Sequence, residues 1–189
     1  GDINGDGFDD LLIGAPLSGG GAKKFGQAFV VFGKGTAFAP SLSVSALNGK
    51  NGFKIESHRA VEMGDSVSPA GDINGDGFDD IIVGGNPDFS LGATEGISFV
   101  VHGRTGKFPA VLNTLTLNSA TGSRLYGANV QDRSGRSVSG GGDFNGDGID
   151  DLLISSFNGG STGGAYVVFG KKGGFGADYN LSDIDGVNG

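Results

Sequence analysis

A nine-residue pattern that returns three times constrains this chain more than anything else in it. Asp72-Ile73-Asn74-Gly75-Asp76-Gly77-Phe78-Asp79-Asp80 puts oxygen-bearing side chains at positions 1, 3, 5 and 9. The same arrangement begins at Asp2, with Asn4, Asp6 and Asp10, and again at Asp143, with Asn145, Asp147 and Asp151. The three copies are almost evenly spaced. One Asp/Asn/Gly-rich turn says little, because these residues make turns in any context. Three copies in register, with every oxygen-bearing position kept, point to a shared chemistry.

That chemistry is calcium coordination. Calcium takes about six to eight oxygens at ~2.3–2.6 Å in an adaptable geometry, so carboxylates, an amide oxygen and a backbone carbonyl suit it. Alternation turns positions 1, 3 and 5 inward. A glycine at position 6 (Gly7, Gly77, Gly148) permits a sharp reversal. The carbonyl at position 7 (Phe8, Phe78, Ile149) is then free to join, and the acid at position 9 closes the cage. The expectation is about three calcium ions per chain.

The flanking residues decide which kind of calcium loop this is. A helix–loop–helix calcium hand needs an acid at position 12 and helices on both sides. Position 12 here is Ile13, Val83 or Ile154, which excludes that reading. Each loop runs straight into an apolar, strand-like segment: Leu11-Leu12-Ile13-Gly14, Ile81-Ile82-Val83-Gly84, Leu152-Leu153-Ile154-Ser155. Ser66-Val67-Ser68 and Ser137-Val138-Ser139 precede the second and third loops, so the setting is strand–loop–strand.

In this setting the chain resembles the FG-GAP repeat of integrin α-subunit propellers, and especially the integrin-like repeats of bacterial surface proteins. The resemblance is carried by Met63-Gly64-Asp65-Ser66-Val67, by the loops, by Asp10-Leu11-Leu12-Ile13-Gly14-Ala15-Pro16 and by Gly26-Gln27-Ala28-Phe29-Val30-Val31-Phe32-Gly33. Met63 and Ser134 stand where the family has an aromatic residue. Gly14-Ala15-Pro16 becomes Gly84-Gly85-Asn86 and Ser155-Ser156-Phe157 in the later repeats. The resemblance implies β-propeller blades of about four antiparallel strands and a role in adhesion.

Long repeats with several strands each are expected to stack as blades, giving an all-β chain. The repeats run over residues 1–71, 72–142 and 143–189. In the second, strands are expected at Gly64–Ala70, Asp80–Gly84, Gly96–His102 and Ser123–Tyr126, the last matching Phe53–Glu56 in the first. The Ser/Leu/Asn-rich connections Leu42–Gly52 and Leu112–Gly122 are expected to be partly ordered. The first repeat starts inside its loop and the third stops where an outer strand should begin. A closed ring takes about four to eight blades, so the chain reads as an incomplete segment completed by further blades or further copies.

Composition narrows the partners. Of 189 residues 40 are Gly, there is no Cys or Trp, and the formal net charge is −8. Twelve of the twenty-one Asp and Glu residues lie in the three loops, so the acidity is metal-site acidity. No basic stripe suggests nucleic acid, and no apolar run suits insertion into a membrane. Calcium loops without helical support suit the calcium levels outside cells, which favours an extracellular or cell-surface protein with a protein or cell-surface ligand.

Other candidates read as structural. His102 takes the place of Phe32 and Phe169 and is expected to pack or lie at an edge. His58 follows an outer strand in a solvated turn. Asp9, Asp79 and Asp150, at loop position 8, should point away from the ion and cap a turn or face solvent. Phe8 and Phe78 are expected to plug the blade beneath their own loops. Asp65 and Asp132 read as surface acids. Nothing forms a catalytic constellation, so the expectation is a binding module and not an enzyme. The alternative is the accessory propeller of an extracellular polysaccharide-active hydrolase or lyase.

Overall fold

The apolar segment after each loop becomes the second strand of a small sheet, and three such sheets stand side by side. The structure is a computed structural model that describes residues 1–19, 25–57, 61–87, 95–130, 132–157 and 163–189. Twelve strands and a few single 3-10 turns make it all-β, with no α-helix among the described residues. His58 lies outside them.

The first sheet pairs β1 (Leu11–Ala15), β2 (Gln27–Val31) and β3 (Gly52–Glu56) antiparallel. The second pairs β4 (Val61–Gly71), β5 (Asp80–Pro87), β6 (Ile97–Val101) and β8 (Gly122–Tyr126) antiparallel. The third pairs β9 (Val138–Gly142), β10 (Asp151–Ser156) and β11 (Gly164–Val168) antiparallel. These are propeller blades, and the second shows all four expected strands, each within a few residues of its expected bounds.

One feature of the sheets departs from the expected four antiparallel strands. β7 (Val111–Asn113), from the connection in the second repeat, adds to β3 of the first blade in parallel. β12 (Asp178–Asn180) adds to β8 of the second blade in the same way. Each connection thus leaves its own blade, pairs with the preceding one and returns through a 3-10 turn. Asn113 starts that turn in the second repeat by accepting from the Leu115 N–H at 2.9 Å.

Most of the core is two apolar layers between neighbouring blades, with a small third cluster of Phe29, Val31 and Leu47 in the first blade. Between the first and second blades lie Val30, Phe53 and Ile55 against Met63, Val83 and Phe99, among others. Between the second and third lie Ile82, Val100 and Leu125 against Val138, Leu152 and Ile154. The middle strand β6 is covered on both faces, and all five of its residues are buried, as apolar alternation on both sides requires.

Glycine sets how closely the blades approach. A methyl at Gly84 on β5 would collide with the Gly135 carbonyl oxygen ahead of β9. Gly14 on β1 meets the Gly64 carbonyl in the same way. Gly64 has φ +91° and sits at a bulge in β4 between Met63 and Ser66, which turns its carbonyl toward the neighbouring blade. Met63 is fully buried where the family pattern has an aromatic, and its N–H donates to the Phe25 carbonyl at 3.1 Å.

Candidate metal centres

The second and third acidic loops lie between the first two strands of their blades, the first lies directly ahead of β1, and each is folded by its own carboxylates. In all three, the position-1 acid takes the N–H of position 5 on Oδ1 and that of position 6 on Oδ2. The distances are 3.0 and 2.7 Å at Asp2, 3.0 and 2.7 Å at Asp72, and 2.9 and 2.8 Å at Asp143. The position-5 acids Asp6, Asp76 and Asp147 each accept from the N–H of position 7 at 3.0, 3.0 and 2.9 Å. These bonds require left-handed backbone at two glycines per loop. In the second loop Gly75 has φ +70° and Gly77 +91°.

The position-9 acid joins loop to blade. Asp10, Asp80 and Asp151 accept on Oδ2 from the N–H of position 2 (Ile3, Ile73, Phe144), at 3.0, 3.2 and 2.8 Å. On Oδ1 they accept from Gly33, Gly103 and Gly170, each at 2.8 Å, just past the third strand. Burial pushes the Asp80 carboxyl up to about 8, with the charges of Asp76 and Asp72 acting in the same direction and the Gly103 and Ile73 N–H groups against them. Asp10 is raised for the same reasons, burial first, then Asp2 and Asp6, opposed by Gly33 and Ile3.

Two observations in the second loop suit a cation. Asn74, at position 3, is buried, and its Oδ1 has no hydrogen-bond partner. Asp80 is a buried carboxyl beside like charges, a combination that a positive ion relieves. In the third loop Asn145 Oδ1 accepts from the Asp147 N–H at 2.8 Å. Among the described residues no three His, Cys, Asp or Glu groups gather closely enough to hold a metal by themselves. Any cage in these loops therefore depends on the position-3 amide and the position-7 carbonyl as well. The donor set of acids, amide oxygen and carbonyl is that of a hard dication.

The position-8 acids do something the sequence reading missed. Asp79 Oδ2 accepts from the N–H of Asp2, and Asp150 Oδ2 from that of Asp72, both at 2.9 Å. Each caps the loop of the preceding blade. The Arg104 N–H donates to the Ile3 carbonyl at 2.9 Å and the Lys171 N–H to Ile73 at 3.1 Å, so the first and second loops are each laced to the blade that follows. An even spacing of copies along the chain gives no hint of contacts between them.

Three further expectations are corrected. Phe78 does not plug its own loop; its ring lies against Gly5 of the first loop, where an added methyl would be 2.6 Å from it. Ile149 likewise lies over Gly75, and Phe8 is exposed. Asp132 is not a surface acid: it is buried, with Ser156 Oγ donating to Oδ1 and the Ala128 N–H and Tyr166 hydroxyl reaching Oδ2 at 3.2 and 3.4 Å. Asp65 is exposed as expected. His102 is buried, which lowers its pKa, with Asp76 and the Ala120 backbone acting in the opposite direction.

Residues 1–31, 63–101 and 134–168 match the FG-GAP repeat. The chain belongs to the FG-GAP repeat family. It is 29% identical over 156 residues to integrin alpha-4 of Xenopus laevis, covering 82% of this chain and 14% of that protein. It is 30% identical over 150 residues to integrin alpha-V of Gallus gallus, with 71% and 13% covered, and 27% identical over 162 residues to integrin alpha-PS2 of Drosophila melanogaster, with 83% and 11% covered. The chain thus spans a small part of the length of these relatives. The second and third FG-GAP matches take in the loop and the first three strands of their blades, and the first takes in its loop with β1 and β2. They leave out the connections that carry β7, β12, His102, Asp132 and the partners of Arg124.

Proposed function

We propose that this FG-GAP chain is a calcium-stabilised β-propeller segment acting outside the cell or at its surface, in adhesion, scaffolding or protein–protein contact, and not in catalysis. The observation that carries this reading is the shared loop framework. In three places the same acids hold the same N–H groups, and in the second loop a buried amide oxygen is left unpartnered. The residues that would hold calcium are Asp2, Asn4, Asp6, Phe8 and Asp10 in the first loop, and Asp72, Asn74, Asp76, Phe78 and Asp80 in the second. In the third they are Asp143, Asn145, Asp147, Ile149 and Asp151. Phe8, Phe78 and Ile149 take part through their carbonyls.

The mechanism is linkage between ion binding and folding. An ion that binds the ordered loop and not the unfolded chain stabilises the fold by ~2.7 kcal/mol per site at one hundred times Kd. The position-9 acid ties each loop to its third strand, and the position-8 acid ties the loop before it to the next blade. An ordered loop therefore also fixes the seam between blades. The repeat units would be residues 1–71, 72–142 and 143–189.

Surface chemistry supports a partner that is itself a blade. Leu11, Ile13, Phe38, Leu42 and Val44 are exposed on the open face of the first blade. Their counterparts in the second repeat, Ile81, Val83, Phe108, Leu112 and Thr114, are all buried, the four apolar ones in the seam with the first blade. The open face therefore offers a further blade, of a longer chain or of another copy, the seat that the second blade offers the first. No helix among the described residues is long and apolar enough to cross a membrane.

Thermal melting in chelator and across a calcium titration, with magnesium as control, tests the reading. The expected outcome is a calcium-selective rise in Tm with a calorimetric stoichiometry of about three. An equal response to magnesium, or none, would reduce the loops to Asp/Gly turns.

A further inference from the structure

The third blade departs from the second at the end that lies away from the acidic loops. β10 starts at Asp151, where its loop closes, and finishes at Ser156, so Phe157 stands at the far end of the blade. Here the second blade has an apolar plug. Val61 and Phe99 are buried, and Val61 lies 3.2 Å from a methyl placed on Gly85. The third blade has Asp132, Tyr166 and Ser156 at the same repeat positions. Asp132, only 1% exposed, accepts from the Ser156 hydroxyl, the Ala128 N–H and the Tyr166 hydroxyl. A buried carboxylate carries a desolvation cost that a valine does not, and with its acceptors engaged it holds a segment in one arrangement.

The segment it holds carries Arg133. Among the described residues this is the one residue other than glycine with left-handed backbone, at φ +48°. Such backbone persists only where its surroundings fix it. Arg133 and Arg136 bring their guanidinium carbons to 5.9 and 5.6 Å from the centre of the exposed Phe157 ring. Arg136 is exposed, and among the described residues no carboxylate lies within ion-pair distance of it. It lines an open cleft with Ser137, Ser155 and Phe157. In the second blade, Glu62 and Asp65 stand where the third has Arg133 and Arg136, so the charge is reversed.

We propose that this end of the third blade is a docking site for an acidic side chain, Asp or Glu, of a protein partner. Arg136 and Arg133 take the carboxylate, and the Phe157 ring takes the apolar group beside it. Arginine with an exposed aromatic ring is the pairing that most often anchors protein interfaces. A polyanion fits less well. The chain carries a net charge of −8, and Glu62 and Asp65 sit on the adjoining blade, so a long run of negative charge is repelled where a single carboxylate is not. Asp132 and Arg133 fall outside the FG-GAP match, so the feature is not part of the matched repeat. The proposal rests on reading the chain as a protein-contact module.

The test titrates the whole chain, with Ca2+ present, with the peptide Ac-Ala-Glu-Leu-NH2, its Gln counterpart and heparin. Arginine Nε–H and Phe157 ring signals are followed by NMR. The Glu peptide is expected to move the Arg133, Arg136 and Phe157 signals, and the Gln peptide to leave them in place. Arg136→Ala should weaken the Glu peptide by about tenfold or more. Asp132→Val, Ser156→Gly and Tyr166→Phe together rebuild the plug of the second blade. That variant should keep its Tm and still bind the peptide more weakly, because the guanidiniums are no longer held in place. Equal shifts with both peptides, no shift with either, or unchanged affinity in Arg136→Ala would overturn the docking site. Heparin bound at Arg136 in preference to the Glu peptide would overturn the protein partner. Unchanged affinity in the triple variant would overturn the positioning role of Asp132. Calcium-dependent melting without Glu-peptide binding sinks this inference alone, whereas Glu-peptide binding without any calcium response sinks the calcium reading alone.

Discussion

At the scale of single residues, neighbouring acids in one loop have divided the work. The position-9 acid is buried and ties its own loop to its own blade, while the position-8 acid reaches back to the blade before. Replacing Asp79 by Ala should therefore cost about 1–2 kcal/mol of stability by orphaning the Asp2 N–H, with calcium affinity little changed. Asp80→Ala should lower calcium affinity far more, as calorimetry on both variants would show. Equal effects on affinity would sink the ligand assignment. Asp132 makes a second residue-scale case. Asp132→Ala strips three donors of their acceptor and should cost about 2–3 kcal/mol in urea denaturation, against at most about 0.5 kcal/mol for exposed Asp65→Ala. Tyr166, which packs on Asp132, has its pKa raised by burial first and by that carboxylate second. A folded-state pKa above the unfolded value means that its contribution is intact below about pH 10 and is lost as pH rises further, because the unfolded chain gives up the proton first. Tyr166→Phe should make the alkaline loss of stability shallower.

At the scale of elements, blades hold one another by strands as well as by loops. β12 is fastened to β8 by the Arg124 guanidinium, whose Nε and Nη2 meet Asp178 at 2.7 and 3.0 Å. Nη1 meanwhile reaches the Leu117 and Thr114 carbonyls at 2.9 and 3.1 Å. One side chain thus closes the 3-10 turn of its own repeat and clamps the strand lent by the next. Arg124→Ala should destabilise by about 2 kcal/mol or more, since it removes a charged donor from the buried Leu117 and Thr114 carbonyls and the clamp on Asp178. Asp178→Ala, which removes the more exposed partner, should cost less in the same denaturation experiment. The close approach at Gly84 is a tighter constraint still. Gly84→Ala drives a methyl into the Gly135 carbonyl and should cost about 3 kcal/mol by prying β5 from the third blade.

At the scale of the whole molecule, the fold has no single centre: most of its buried apolar area lies in seams, each made by one blade against the next. Stability therefore depends on which face of a blade a residue occupies, and not on its place within the repeat. Leu11 and Ile81 hold the same repeat position, yet Leu11 is exposed and Ile81 is buried in the first seam. Leu11→Ala should change stability by no more than about 0.5 kcal/mol, and Ile81→Ala should cost about 2–4 kcal/mol. Equal costs, read from chemical denaturation, would mean that something already covers the open face of the first blade.

The repeat itself was legible in the chain. Oxygen-bearing residues at positions 1, 3, 5 and 9 and glycines at the reversals are local requirements, so they show in the order of residues. So do the apolar runs that become β1, β5 and β10. These determined the all-β class and the composition of the candidate cages. What passes between repeats was not legible: the Asp79 and Asp150 caps, the strands lent by β7 and β12, and the clamp of Arg124 on Asp178. Each depends on how one blade is set against the next. The partners lie far apart along the chain, and nothing periodic in the sequence links them. Local chemistry writes itself into spacing, whereas the seam between blades is decided only when two copies of the pattern meet in space.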